Sequence, residues 1–322
     1  MSDRKTQTNR GREAGNPSEI PSPGWKDIFM RVKDEISNDN LSIIAAGVAF
    51  YGFLAIFPAL AAFVSTYGLL VSPSELQSDL KTVGSILPPQ TADLIQSQLA
   101  RIVNSQSSQL GWGLLGSLVL ALWSASKGMK AMIEAMNITY DEEEKRGTIK
   151  LNLIAILLTL GAIVAVIVFL GLIAVLPALL GSLGLGETVR ALLNYIRWPL
   201  LAAAAIFAMA VLYRYGPSRD HPQWKWVSWG AVIATVLWLL GSLLFSIYVS
   251  NFGSYDKTYG SLGVVVILMM WFFLSAYSIL LGSEINAEME HQTAKDTTTG
   301  EDRPRGKRGA YVADTVGQSA DG

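Results

Sequence analysis

Six apolar runs constrain this 322-residue chain more than any motif in it. They begin near Leu41, Leu110, Leu151, Ala191, Trp229 and Leu262, and place spans at about 41–71, 110–126, 151–176, 191–213, 227–250 and 262–283. Each holds roughly 17 or more residues with few charges, enough for a helix to cross a hydrocarbon core about 30 Å thick. A soluble core needs no such repetition. Only 16% of the residues are charged, against about 25% in soluble domains. Strands alternating apolar and polar residues are absent from the sequence, which excludes an outer-membrane barrel. The fold class is therefore all-α: a polytopic membrane protein with six transmembrane helices plus interfacial and extracytoplasmic amphipathic helices.

The 25 Lys and Arg residues divide 20 to 5 between alternate sides of this scheme. The positive-inside rule assigns the richer side to the cytoplasm, with both termini and the second and fourth loops. About 40 polar residues precede the first run, so no cleavable signal peptide is visible and the first span is expected to act as an uncleaved signal. Cysteine is absent, which removes disulfides, a thiol nucleophile and cysteine metal sites.

Residues 1–24 and 292–322 are polar, rich in Gly, Ser, Thr or Pro, and are expected to be disordered cytoplasmic tails. Between them, residues 25–291 form the membrane domain. Trp25, Ile28, Phe29, Val32 and Ile36 fall on one face of an interfacial helix leading into the first span. The first loop carries two amphipathic segments separated by Pro88-Pro89, an external helical hairpin over 74–105. Beyond the second span, Met129, Met132, Ile133 and Met136 share a helical face, and the acidic run Asp141–Glu144 reads as a solvated loop. Trp112 and Trp198 fall near the outer interface, and Trp224, Trp226 and Trp229 near the inner one.

On the first span, Ala45, Ala49, Gly52, Ala55, Ala59 and Ala62 recur in steps of three and four, a stripe of small side chains that lets another helix approach closely. Pro58 frees the carbonyl of Leu54 and loosens the helix nearby. Tyr51 brings a hydroxyl within two turns of that point. Ala45, Ala49, Tyr51, Gly52, Ala55, Pro58 and Ala59 are thus a candidate helix-packing or cavity face. A second candidate is the glycine-flanked turn before the last span, with Asn251, Tyr255, Asp256, Lys257, Tyr259 and Gly260. A third is a boundary ion pair: Glu284, at the end of the last span, opposes the helix dipole and would be relieved by Lys127 or Lys130.

The segments AAGVAFYGFLAIFP (45–58), ASKGMKAMIEAMNITY (125–140) and YVSNFGSYDKTYGSLGVVVILMMWFFLSAYSILLGSEINAE (248–288) resemble the YihY/BrkB family of bacterial inner-membrane proteins. The likeness spans roughly Trp25 to Glu290. It implies a multi-pass protein of the bacterial inner (plasma) membrane with six helices and cytoplasmic termini. It implies little chemistry, because the family has no settled molecular activity, although members once carried the label ribonuclease BN.

The residues speak against that label. A metal-dependent nuclease needs several His, Asp or Glu ligands converging on its ions. The chain has two histidines, His221 and His291, in different segments. Neither a Gly-x-Ser-x-Gly elbow nor a phosphate-binding Gly-x-x-x-x-Gly-Lys-Ser/Thr loop occurs. No catalytic residue, cofactor or metal site is assigned, nucleic acid is not an expected partner, and the protein reads as a non-enzyme. Membrane lipids are the expected partners, with an envelope protein or a second copy of the chain as further possibilities. Two readings remain: a transporter or lipid- and amphiphile-handling protein of the cell envelope, and a non-transporting organiser that binds an envelope partner.

Overall fold

The computed structural model describes residues 10–70, 110–175, 187–251 and 261–319. Its helices are α1 (Ser22–Asn38), α2 (Leu41–Leu70), α3 (Leu110–Thr139), α4 (Thr148–Leu170, followed by a π turn, Gly171–Val175), α5 (Glu187–Tyr215), α6 (Trp224–Asn251), α7 (Ser261–Gln292) and the short α8 (Tyr311–Asp314). Among the described residues there is no strand, only an isolated bridge between Pro222 and Thr298.

Each of the six apolar runs coincides with a long helix. Four segments, Thr148–Ile173, Ala191–Tyr215, Trp224–Ser250 and Val265–Gln292, are long and apolar enough to cross a membrane. A fifth arises if Ser22–Asn38 and Leu41–Ile56, bent by 63° at their junction, count as one span. Asn40 makes that bend with a φ of 53°, in the left-handed region that Asn tolerates better than most residues. Its carbonyl accepts from the amides of Ile43 and Ile44 and so starts α2.

The last helix, α7, is the hub. It packs against α1, α2, α3 and α6, while α4 and α5 close the bundle through α3 and α6. The main core gathers Leu41, Ala45 and Val48 of α2, Met132, Ile133 and Met136 of α3, Tyr213 of α5, Val227, Ala231 and Ala234 of α6, and Ala276 and Leu280 of α7. The methionine face expected after the second span is thus the face that builds the core. Elsewhere the helices present Leu157, Val164, Leu240, Leu243, Leu244 and Ile247 outward. So much exposed aliphatic surface suits lipid rather than water.

The end of the bundle that carries the chain's polar segments differs from expectation. Residues 10–24 and 292–319, expected as disordered tails, form an ordered cap. The Arg12 carbonyl accepts from the amide of Ala294 at 2.8 Å, Gln292 donates to the Arg10 carbonyl at 2.7 Å, and Thr293 donates to the Ala14 carbonyl at 2.7 Å. Arg308 is buried and donates to the carbonyls of Ala313, Lys295 and Ala294. Low hydrophobicity argued for disorder, but satisfied backbone carbonyls around buried arginines order these segments instead. Trp226, expected at an interface, is buried with Ile28, Val32 and Met289 beneath this cap.

In the acidic run Asp141, Glu143 and Glu144 are exposed, as a solvated loop requires, and Glu142 alone turns into the cap. Glu142 is buried and accepts from the amide of Tyr311 at 2.6 Å. Glu144 binds the side chain of Arg146 through both oxygens. Burial pushes the Glu144 carboxyl up, but hydrogen bonds from Arg146 and Asn137 outweigh it and bring it down to about 2.

Candidate functional site

The small-residue face of α2 serves two neighbours. Ala45 and Ala49 are buried. Gly128 of α3 packs so closely that a Cβ there would stand 3.3 Å from the Tyr51 carbonyl oxygen, 3.3 Å from the Ala55 Cβ and 3.5 Å from the Gly52 Cα. Contact of this kind, backbone on backbone, is what small residues permit between helices in lipid. Toward α7, a Cβ on Gly52 would lie 3.7 Å from the Phe272 ring. Pro58 sits inside α2 without ending it. Tyr51 is half exposed and packs edge-on against Phe50, with centroids 5.6 Å apart. The side chain of Ala59 lies outside the described residues.

Beside this face, α2, α6 and α7 leave a groove of about 540 Å³. Ala46 and Ala49 form one wall; Met269, Met270, Phe273 and Tyr277 form much of the other. Missing bulk on α2 therefore makes space as well as contact. The lining has two hydroxyl groups, Tyr277 and Ser278, and Ser278 already donates to the Leu274 carbonyl at 2.9 Å. A site this poor in free polar groups penalises a polar ligand and favours a hydrocarbon one. Gly52, Ala55 and Pro58 do not line it.

The boundary ion pair is absent. Among the described residues Glu284 meets neither Lys127 nor Lys130. It is buried, and its Oε2 has no described hydrogen-bond partner. The Lys127 ammonium instead lies 5.3 Å from the centre of the Trp123 ring. Geometry explains the difference: α3 turns Met132, Ile133 and Met136 into the bundle, which leaves Lys127 outside. One turn beyond Glu284, Glu288 is engaged by Arg31 of α1. In the turn before α7, Tyr255, Asp256, Lys257, Tyr259 and Gly260 lie outside the described residues, as do the side chain of Asn251 and the expected hairpin over 74–105.

Several organising residues were not singled out from the sequence. Arg219 and Glu290 form a fully buried pair joined at 3.1 and 2.7 Å. Thr297 donates to the same carboxylate at 2.6 Å, and the guanidinium lies 4.9 Å from the centre of the Tyr140 ring. Tyr213 donates to the Ile279 carbonyl at 2.8 Å, locking α5 to α7. Gly230 and Gly282 were the available signal for the α6–α7 crossing: a Cβ on Gly230 would overlap the Gly282 carbonyl and the Asn286 side chain. Among the described residues, no group of three or more His, Asp or Glu side chains is placed to hold a metal ion.

The family model described as virulence factor BrkB matches residues 32–307. The chain belongs to the BrkB family. It is 33% identical over 249 residues to the putative ribonuclease-like protein YfkH of Bacillus subtilis, covering 76% of this chain and 88% of that one. It is 26% identical over 296 residues to a UPF0761 membrane protein of Pseudoalteromonas atlantica, covering 87% and 93%. A further UPF0761 membrane protein, from Alteromonas mediterranea, is 25% identical over 272 residues, covering 83% and 89%. No solved structure matches. This BrkB-family chain is accordingly an integral membrane protein, as its apolar helices require.

Proposed function

We propose that this protein handles lipids or other amphiphiles in the bacterial inner membrane, as a transporter or carrier that holds an acyl chain between α2, α6 and α7. The observation that carries this reading is the apolar groove of about 540 Å³ between candidate spans. Its opening beside Ala46 and Ala49 gives the small-residue face a use beyond packing. In this reading all six long helices cross the membrane, and both termini and the polar cap face the cytoplasm, where Lys and Arg concentrate. No reaction is assigned, and the ribonuclease-like wording of one relative's name supplies none.

The test is to purify the full chain in native-membrane nanodiscs and compare its retained lipids with bulk membrane by mass spectrometry. Ala46 is exposed on the groove wall, so Ala46→Phe fills the groove at little cost to the fold. Enrichment of one lipid class, lost in Ala46→Phe, is expected. A lipid profile equal to bulk in both proteins overturns the reading. If a protein partner is then retained, the organiser role takes its place.

A further inference from the structure

At the polar end of the bundle a second cavity, of about 670 Å³, opens between the start of α4 and the turn joining α5 to α6. Its lining includes Lys145, Arg146, Lys150, Arg219 and His221, with Asp220 the one carboxylate. The charges are not equivalent. Arg219 is fully buried and committed to Glu290, so it forms the floor. Asp220 is occupied by Arg303 at 2.6 Å. Arg146 is held flat by Glu144 and the Gly216 carbonyl through Nε and Nη2, which leaves the Nη1 donors of its fork without a described partner. Lys145 is 64% exposed while reaching Glu142. Lys150 is exposed and has no carboxylate partner among the described residues.

None of the three carboxylates that balance Lys145, Arg146 and Arg219 lines the cavity, although Glu144, which holds Arg146, is itself exposed. Glu142 and Glu290 are buried. Anything entering therefore meets the cations first. Gly147 adds to this, because α4 starts there without a side-chain cap, and its first amides remain available to an anion. Position matters too. Thr148 begins one candidate span and Tyr215 ends another, and Ile154, about two turns into α4, also lines the cavity. The cavity is thus basic where the candidate spans end and apolar where they begin to bury, the level at which a bilayer carries its phosphates.

We propose that this cavity binds a phosphate group, with Lys150 and the free Arg146 donors as its main contacts and Lys145 at the rim. A guanidinium fork matches phosphate geometry, and a flexible ammonium supplies the second charge. The proposal rests on the lipid-handling reading only for the source of the phosphate, a lipid headgroup rather than a free phosphate compound.

Calorimetric titration of the purified full chain tests it, with dihexanoyl phosphatidylglycerol, dihexanoyl phosphatidylcholine and inorganic phosphate as separate probes. Phosphatidylglycerol should bind more tightly than phosphatidylcholine. Affinity should fall about tenfold in Lys150→Gln, the loss of one charge-assisted contact. It should be kept in Lys150→Arg and in Lys33→Gln, an exposed cation on α1 outside the cavity. Inorganic phosphate binding as tightly as phosphatidylglycerol, with the same Lys150 dependence, supports the site and assigns it to a free phosphate compound. Absence of binding by all three probes, or equal loss in Lys150→Gln and Lys33→Gln, overturns it. Ala46→Phe should leave this binding intact, so failure of the groove and failure of the phosphate site are separable.

Discussion

The side-chain oxygen of Asn286 on α7 accepts a hydrogen bond from the backbone amide of Gly230 on α6, at 2.8 Å. The approach exists because neither Gly230 nor Gly282 carries a Cβ at the crossing. Gly230→Ala would place a methyl group inside Asn286 and against a backbone carbonyl, and overpacking of this kind costs about 1–3 kcal/mol. Thermal unfolding in detergent should show a clear loss. Gly128→Ala, whose Cβ would meet neighbours at 3.3 Å, should cost less, and Gly52→Ala, with only a 3.7 Å contact, should be nearly neutral.

The Arg219–Glu290 pair lies wholly out of solvent. Glu290→Gln leaves a buried guanidinium without its counter-charge, and breaking one side of such a pair costs about 3–5 kcal/mol. The expected result is a large drop in the unfolding midpoint together with faster proteolysis of residues 292–319, because Thr297 and Arg219 must then share the one oxygen that remains.

Two carboxylates outside the spans give opposite pH signatures. Glu144 is lowered from 4.5 to about 2, so its folded state keeps its proton less readily than the unfolded chain. Its contribution is present above pH 4.5 and is lost as pH falls toward 2. Asp39 is raised from 3.8 to about 6, by burial first and then by the charges of Glu35 and Asp141. Its folded state binds the proton more tightly, so stability should rise as pH falls from about 6 to about 4. Unfolding midpoints measured across pH 3–7 should show that rise in the wild-type chain. Asp39→Asn should be more stable than wild type at pH 7 and should lose the rise on acidification.

Filling the groove should be silent for folding and visible in lipid. Ala46→Phe and Ala46→Leu should keep the wild-type unfolding midpoint while retained lipid falls in proportion to side-chain volume. A midpoint that drops along with the lipid would mean that Ala46 packs rather than lines a ligand site.

How much of this was legible in the sequence varies with the range of the interaction. The long helices follow from apolar runs, a local signal, and the Met132–Ile133–Met136 face follows from helical period. The stripe on α2 forecast a close neighbour, and Gly128 supplies it. What the sequence left open is which helix comes next to which. Glu284 and Lys127 looked complementary along the chain, but the register of α3 turns the lysine outward. The cap was missed for a related reason: composition reports how little a polar segment can bury by itself, whereas Arg12 reaches carbonyls at the other end of the chain and Arg308 gathers those of its own segment.

Because the carbonyl of Gly317 accepts from Arg12 at 2.5 Å, the earliest and latest described parts of the chain are finished together. During synthesis Arg12 emerges before α2 to α7, and it meets its carbonyl partners only once α7 and the residues beyond it have been made. The cap is therefore completed only after the last long helix has been made. A chain stalled before residue 292 would keep the Arg10–Asp27 pair but leave Arg12 without the Gln292 and Gly317 carbonyls that it reaches in the finished protein.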